Sequence, residues 1–247
     1  MGYTKAMYSI YFRLQKLIAP SLKYSQDLYK DTLISYIKKD SVWLELGCGH
    51  QILPVWYLKE EKELVKKCKR IVGFDYTMNS LLKHESIKLK VRGDITTLPF
   101  NDNSFDLITS NMVIEHLQDP LVQFKEIARI LRPGGTFIFH TPNIYGYPNI
   151  FGRFIPESLK NKIIYILQGR KEDDVFDTYY RANSRAEISK LAESAGLGVE
   201  KIRMLVSSAQ FIVFPPLVIP ELLWIRLLMT EPFRPLRTNI IAILKKP

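Results

Sequence analysis

The chain has 247 residues, 47% of them hydrophobic, which suits one substantial core with an insertion better than two independent domains. A net charge of +10 favours anionic partners such as nucleic acid, phosphate-bearing substrates or a membrane surface, yet no basic block is present and a dispersed excess of surface lysine accounts for it more simply. Cys48 and Cys68 are the only cysteines, which argues against a disulfide framework or a structural zinc site and for a reducing cytoplasm.

The N-terminus shows no apolar stretch of signal-peptide length, and Met-Gly-Tyr-Thr-Lys-Ala lacks the hydroxyl that myristoylation requires. Residues 1–40 carry apolar side chains at helical spacing, with a break at Pro20-Ser21, and read as two helices. Tyr24 and Tyr29 in this region either line a ligand mouth, where an aromatic face attracts a cation, or simply pack on the sheet.

Val42 to His50 is the stretch around which the chain is organised. An apolar, β-prone run feeds Gly47 and Gly49, then a helical pattern, and so reads as a buried strand, a tight turn and a helix start. The glycines let the backbone turn sharply and approach a ligand. Glu45 precedes them and would oppose a pyrophosphate while welcoming a cationic group. Ile52 takes the place of the third glycine of a dinucleotide fingerprint. Asp75 ends the next apolar run, where an acid chelates ribose hydroxyls.

The alternation continues as strand 41–46, helix 53–68, strand 70–75, helix 77–84, strand 88–92, strand 105–110, helix 120–131 and strand 136–140. Strands separated by helical crossovers require a doubly wound, mostly parallel sheet with helices on both faces. Asp119-Pro120 reads as a helix start and Arg132-Pro-Gly-Gly as its stop. His84 falls at the end of an expected surface helix. From Tyr145 to Arg181 the pattern is irregular, with Pro148, Pro156 and the acidic Glu172-Asp173-Asp174, as expected of a lid insertion. Ser184-Arg-Ala-Glu187 forms a capping box for a helix ending at Gly196, and 199–206 and 238–244 read as two closing strands. The expected organisation is therefore helices over 1–40, a core over 41–144, a lid over 145–183 and the remainder of the sheet over 184–247. Segment 211–229 is almost wholly apolar, but Pro215, Pro216, Pro220, Glu221 and Arg226 argue against a membrane span. It reads as a cover for the pocket or an interface, or as a surface dipping into a bilayer.

Glu-Leu-Gly-Cys-Gly at 45–49, Asp75, Gly-Asp-Ile at 93–95, Leu-Pro-Phe at 98–100, Ser-Phe-Asp-Leu-Ile at 104–108, Glu115-His116 and Leu-Arg-Pro-Gly-Gly at 131–135 together resemble class I S-adenosylmethionine-dependent methyltransferases, of the type 11 kind. The resemblance runs from about Ser41 to Asn143. It implies the strand order 3-2-1-4-5-7-6. It also implies that S-adenosylmethionine is the cofactor and S-adenosylhomocysteine the product. Glu45, Gly47, Cys48 and Gly49 would hold the methionine moiety, Asp75 the ribose, Tyr76 one face of the adenine, and Asp94 the exocyclic amine while Ile95 packs on the ring. Asn111 would lie beneath the sulfonium. In the bland alternative Asp94 caps the Thr96-Thr97 turn and Asn111 caps a helix.

On the acceptor side a histidine near neutral pKa is the usual base for O- or N-methylation. His140 and His116 follow the fifth and fourth strands and are the candidates, His140 ahead of His116. Glu115-His116 also resembles the metal-gathering pair of quinone-ring O-methyltransferases, but Met112 replaces the first carboxylate and no metal is expected. Tyr179, Tyr180 and Arg181 are candidate acceptor contacts or lid fastenings. The expected function is methylation of a small-molecule or lipid-linked acceptor by a cytoplasmic monomer or homodimer, with no nucleic-acid partner and with 211–229 as a candidate contact to a membrane. The alternatives are a non-catalytic cofactor-binding scaffold or activating subunit, and a nicotinamide-dependent oxidoreductase, which Glu45 disfavours.

Overall fold

The computed structural model describes residues 2–154, 177–212 and 214–247. The chain begins with α1 (Gly2–Ile18) and α2 (Ser25–Tyr36), separated at Pro20 as the sequence predicts. The alternating part follows: β1 (Val42–Leu46), α3 (Leu58–Val65), β2 (Arg70–Asp75), α4 (Met78–Lys83), β3 (Leu89–Arg92), β4 (Phe105–Asn111), α5 (Pro120–Ile130) and β5 (Leu131–Pro142). Then come α6 (Tyr147–Phe154), α7 (Arg185–Ser194), β6 (Gly198–Leu205), α8 (Pro215–Leu228) and β7 (Asn239–Lys245).

The strands form one seven-stranded sheet in the order 3-2-1-4-5-7-6, the order expected. β1 pairs in parallel with β2 and β4, β2 with β3, and β4 with β5. Gly134 N–H donates to Lys246 O, and Lys246 N–H to Gly135 O, so the start of β5 meets the end of β7 and that pair runs antiparallel. β1 is buried along its whole length, and Phe124 of α5 packs edge-on against Phe137 and Phe139 of β5, which explains the nearly continuous apolar character of these strands.

The described residues fall into two compact units. One gathers the described parts of Met1–Ser25, Asn143–Asp177 and Met204–Asn239; the other comprises Gln26–Pro142, Thr178–Arg203 and Ile240–Pro247. The first is mostly helical. Tyr11 of α1, Tyr147 of α6 and Val218, Leu222, Ile225 and Leu228 of α8 share its core. Glu221 is buried there and accepts from Tyr147 Oη at 2.5 Å and from the N–H groups of Gln210 at 2.6 Å and Phe211 at 2.9 Å.

Several local readings are corrected. The helix expected over 53–68 divides at Pro54 into a 3₁₀ turn, Val55–Tyr57, and α3. The helix does end at Ile130, just before Arg132-Pro-Gly-Gly, but β5 starts at Leu131 rather than at 136, so that stretch lies inside the strand. Gly134 absorbs the irregularity with φ +76°, and a bulge opens between Phe105 and Leu107 where Leu131 pairs with Phe105. Proline does begin α5, but Asp119 makes no side-chain cap bond. Pro215 and Pro216 open α8 rather than break it, and Pro220 is accommodated within its early turns. His84 is buried rather than on the surface. Its Nδ1 accepts from the N–H groups of Ser86 and Ile87, both at 3.2 Å, and burial pulls its pKa down to about 4. The capping box is present: Ser184 Oγ accepts from Glu187 N–H at 3.2 Å. Among the described residues no helix is long and apolar enough to cross a membrane. Residues 155–176 of the expected lid, including Pro156 and the acidic triplet, lie outside the described residues.

Candidate functional site

The candidate site lies in the sheet-bearing unit, at the carboxyl ends of β1, β2, β4 and β5, where the strand order reverses beside β1. After β1 the chain turns through Gly47 at φ +64° and Gly49 at φ +51°. The N–H groups of Gly47 and Cys48 both donate to Phe74 O, at 2.8 and 3.1 Å. A Cβ on Gly47 would collide with the Val113 side chain just after β4, whereas a Cβ on Gly49 would project into open space. Only glycine suits both conditions at Gly47, and the Gly49 backbone is open to an approaching group.

Two carboxylates flank this turn. Asp75, ending β2, accepts from Gly49 N–H through Oδ2 at 2.9 Å and from Thr77 N–H through Oδ1 at 2.7 Å. Glu45 is buried opposite its register partner Thr109 of β4, whose hydroxyl donates to it and in turn accepts from Trp43 Nε1. Burial pushes the Glu45 pKa up to about 8, with nearby Glu61 adding to the rise and the Thr109 hydrogen bond opposing it. Glu61, also buried, accepts from the N–H groups of Ile52 and Leu53, both at 2.9 Å, and so shapes the loop that follows the glycines.

Asn111 ends β4 and forms a reciprocal amide pair with Gln26 of α2, at 3.1 and 3.3 Å. Its Nδ2 also donates to Ile52 O at 3.0 Å, and its Oδ1 lies 2.9 Å from Nδ1 of His140, its register partner on β5. His140 is buried and stacked on Tyr29, and burial pulls its pKa down to about 3. Tyr24 instead donates to Gln15 Oε1 of α1 at 2.6 Å.

Glu115 and His116 follow β4 in a 3₁₀ turn. Glu115 is buried and accepts from Thr141 Oγ1 at 3.0 Å, and Asn183 Nδ2 donates to that same Thr141 oxygen at 2.7 Å. His116 is partly exposed, with Nε2 4.0 Å from Glu115 Oε1. The N–H groups of Tyr179 and Tyr180 donate to Glu115 O at 2.8 and 3.2 Å, and Arg181 donates to Gln118 O at 2.7 Å. Tyr179 and Tyr180 are therefore pinned to the His116 turn by their backbones, and Arg181 is held just beyond it by its guanidinium.

At the far edge, Tyr76 is 66% exposed, with the Arg92 guanidinium 6.0 Å from its ring centre. Asp94 accepts from Thr96 N–H at 2.8 Å and Thr96 Oγ1 at 2.7 Å; these bonds hold its pKa below the usual carboxylate value, and Ile95 beside it is half-buried. No group of three His, Cys, Asp or Glu among the described residues is placed to hold a metal.

Residues 44–139 match the family model described as a methyltransferase domain. An uncharacterized methyltransferase of Schizosaccharomyces pombe is 33% identical over 112 residues, 42% of this chain and 40% of its own length. A demethylmenaquinone methyltransferase of Corynebacterium kroppenstedtii is 33% identical over 102 residues, 39% of this chain and 44% of its own length. The match thus spans less than half the length of these curated relatives. Among solved structures, a candidate methyltransferase from Bacillus halodurans aligns with TM-score 0.59 at 17% identity, covering 90% of this chain and all of that one. A Haloferax volcanii protein solved in complex with a methyltransferase activator aligns with TM-score 0.57 at 23% identity over 89% of this chain and 88% of its own. Residues 44–139 are thus similar to a methyltransferase domain, and the seven-stranded sheet has the strand order of the class I fold.

The similarity implies S-adenosylmethionine as the cofactor. The residues present suit it: a positive-φ glycine turn with open space at Gly49, a buried acid at the end of β1 and another at the end of β2. Sequence reasoning on the candidate site missed Gln26, Glu61, Thr109, Thr141 and Asn183. Thr109 had a signal, since a parallel pair with β1 sets a polar residue opposite Glu45.

Proposed function

We propose that the protein transfers a methyl group from S-adenosylmethionine to a small-molecule or lipid-linked acceptor, at oxygen or nitrogen. The observation that carries this reading is the Gly47–Gly49 turn with Asp75 bonded to its backbone and Glu45 buried beside it. The cofactor supplies an electrophilic methyl on a sulfonium whose departure leaves a neutral thioether. The chain's own task is then to hold the reactants in line and to exclude water, and positioning of that kind can supply roughly 7–11 kcal/mol of a barrier.

In this reading the turn backbone at Gly47, Cys48 and Gly49 holds the amino-acid end, Glu45 answers its positive charge, Asp75 pairs the ribose hydroxyls, and Tyr76, Asp94 and Ile95 receive the base. Asn111 is fixed by Gln26, Ile52 and His140 and sets the floor under the sulfonium. His140 is a positioning residue for Asn111, because burial leaves its ring neutral and weakly basic. His116 is the better placed group to receive an acceptor proton, being partly exposed and flanked by Tyr179, Tyr180 and Arg181. The demethylmenaquinone methyltransferases among the relatives favour a ring-bearing acceptor.

Calorimetry with S-adenosylhomocysteine, followed by turnover of labelled cofactor with phenolic quinone-type acceptors, tests the reading. Tight binding lost in Asp75→Ala, together with methylated product, is expected. No binding would overturn it, and binding without turnover on any acceptor would favour the scaffold alternative.

A further inference from the structure

α8 is apolar on both of its faces. Val218, Leu222, Ile225 and Leu228 are buried, yet Leu217, Ile219, Leu223 and Leu227 stand 39 to 54% exposed. At the helical period these four, with Pro216 and Pro220, form one continuous strip opposite the buried set. A helix apolar all round is ordinarily enclosed or in contact with lipid. This one has 14 residues, a rise of about 21 Å, too short to cross a hydrocarbon core of about 30 Å.

Charge distinguishes the candidate occupants. Arg226 stands at the edge of the strip and donates to Ile18 O, which joins the strip to the end of α1, where Leu17 is 76% exposed. Arg13, Lys16 and Lys23 are exposed around that end. α1 contains no acidic residue, and the one carboxylate of α8, Glu221, is buried and engaged by Tyr147, Gln210 and Phe211. An aliphatic strip carrying Arg226, joined to a helix end with exposed Arg13, Lys16 and Lys23, and with no exposed acid on either helix, matches the layers of an anionic bilayer: acyl chains below, phosphates above. A protein partner of ordinary composition would call for a polar rim with hydrogen-bonding groups of both signs.

We propose that α8 and the end of α1 dock the protein on an anionic lipid surface. Leu217, Ile219, Leu223 and Leu227 enter the interface, and Arg13, Lys16, Lys23 and Arg226 meet the headgroup phosphates. The inference goes beyond the methyl-transfer reading and does not depend on it.

The test is sedimentation of the full chain with vesicles of phosphatidylglycerol and phosphatidylcholine, and with phosphatidylcholine alone. Binding to the anionic vesicles is expected, weaker by tenfold or more on the zwitterionic ones and falling as salt is added. Leu223→Glu with Leu227→Glu should reduce binding to background. Arg13→Gln with Lys16→Gln should weaken it roughly 25-fold, at roughly fivefold per basic residue. Melting curves and S-adenosylhomocysteine affinity, unchanged in these variants, show that the fold is intact, and that affinity reports separately on the methyltransferase reading. Absence of binding to anionic vesicles overturns the proposal. So does equal binding to both vesicle types, retention by the glutamate variants, or a dimer broken by Leu223→Glu in protein that ignores vesicles.

Discussion

Asn111 and His140 face each other as register partners on β4 and β5, with His140 Nδ1 2.9 Å from the Asn111 amide oxygen. The sense of this contact is determined by a third group. The Ile52 carbonyl can only accept, so the Asn111 nitrogen must face it, the oxygen must face His140, and the neutral ring must carry its proton on Nδ1. Asn111→Ala removes the donor to Ile52 O and the acceptor for His140 together. It should lower the unfolding free energy by about 1–3 kcal/mol in urea titrations and weaken S-adenosylhomocysteine binding. His140→Gln retains a donor and should leave the pH profile of turnover unchanged; an inflection lost with His140 would refute its positioning role.

Gly47 and Gly49 separate backbone strain from collision. Both have positive φ, so alanine at either costs about 1–2 kcal/mol, but only at Gly47 does the new Cβ also meet Val113. Gly47→Ala should therefore lose clearly more thermal stability than Gly49→Ala, while both lose cofactor affinity. Equal melting temperatures for the two variants would contradict the geometry.

Glu45, with its pKa raised to about 8, is protonated at neutral pH in the free protein. A cationic ligand favours the ionised form, so affinity for S-adenosylmethionine should rise with pH and level off above about 8, with proton uptake by the buffer at pH 7 visible by calorimetry in buffers of different ionisation enthalpy. For folding the sign is opposite. The native state holds this proton more tightly than the unfolded chain, so the contribution to stability is present in full below the unfolded carboxyl value and declines as pH rises toward about 8. Glu45→Gln should melt higher than the parent at pH 8 and bind the cofactor more weakly; a lower melting temperature there would count against the buried proton.

His116→Ala should reduce turnover roughly 100-fold or more with S-adenosylhomocysteine affinity retained, if this histidine receives the acceptor proton. Single-turnover rates across pH provide the check, and an unchanged rate would remove His116 from the chemistry.

What was legible in the sequence was local or periodic. The strand alternation, the glycine turn with Glu45 just before it, and the Ser184–Glu187 box are signals of this kind, Asp75 is marked by the end of the next strand, and the observed sheet repeats the order that the resemblance implies. What was illegible depends on partners distant in the chain. Gln26 meets Asn111 across 85 residues, and Asn183 meets Thr141 across 42, so no window of sequence contains both ends. Arg132-Pro-Gly-Gly does follow the end of its helix, at Ile130, but the strand expected from 136 begins already at Leu131, through its pairing with Phe105. His84 stands at the end of an expected surface helix, whereas its ring is taken inward to close the turn to β3.

The Glu221 carboxylate gathers a phenol from α6 and two amides that precede α8. Tyr147, 74 residues before Glu221, and the amides 11 and 10 residues before it are thereby tied to a single buried carboxyl group, and none can loosen without exposing the others' polar groups to an apolar interior. The helical unit should consequently open as one cooperative block in native-state hydrogen exchange, with the Gln210 and Phe211 amides exchanging at a common rate with the centre of α8.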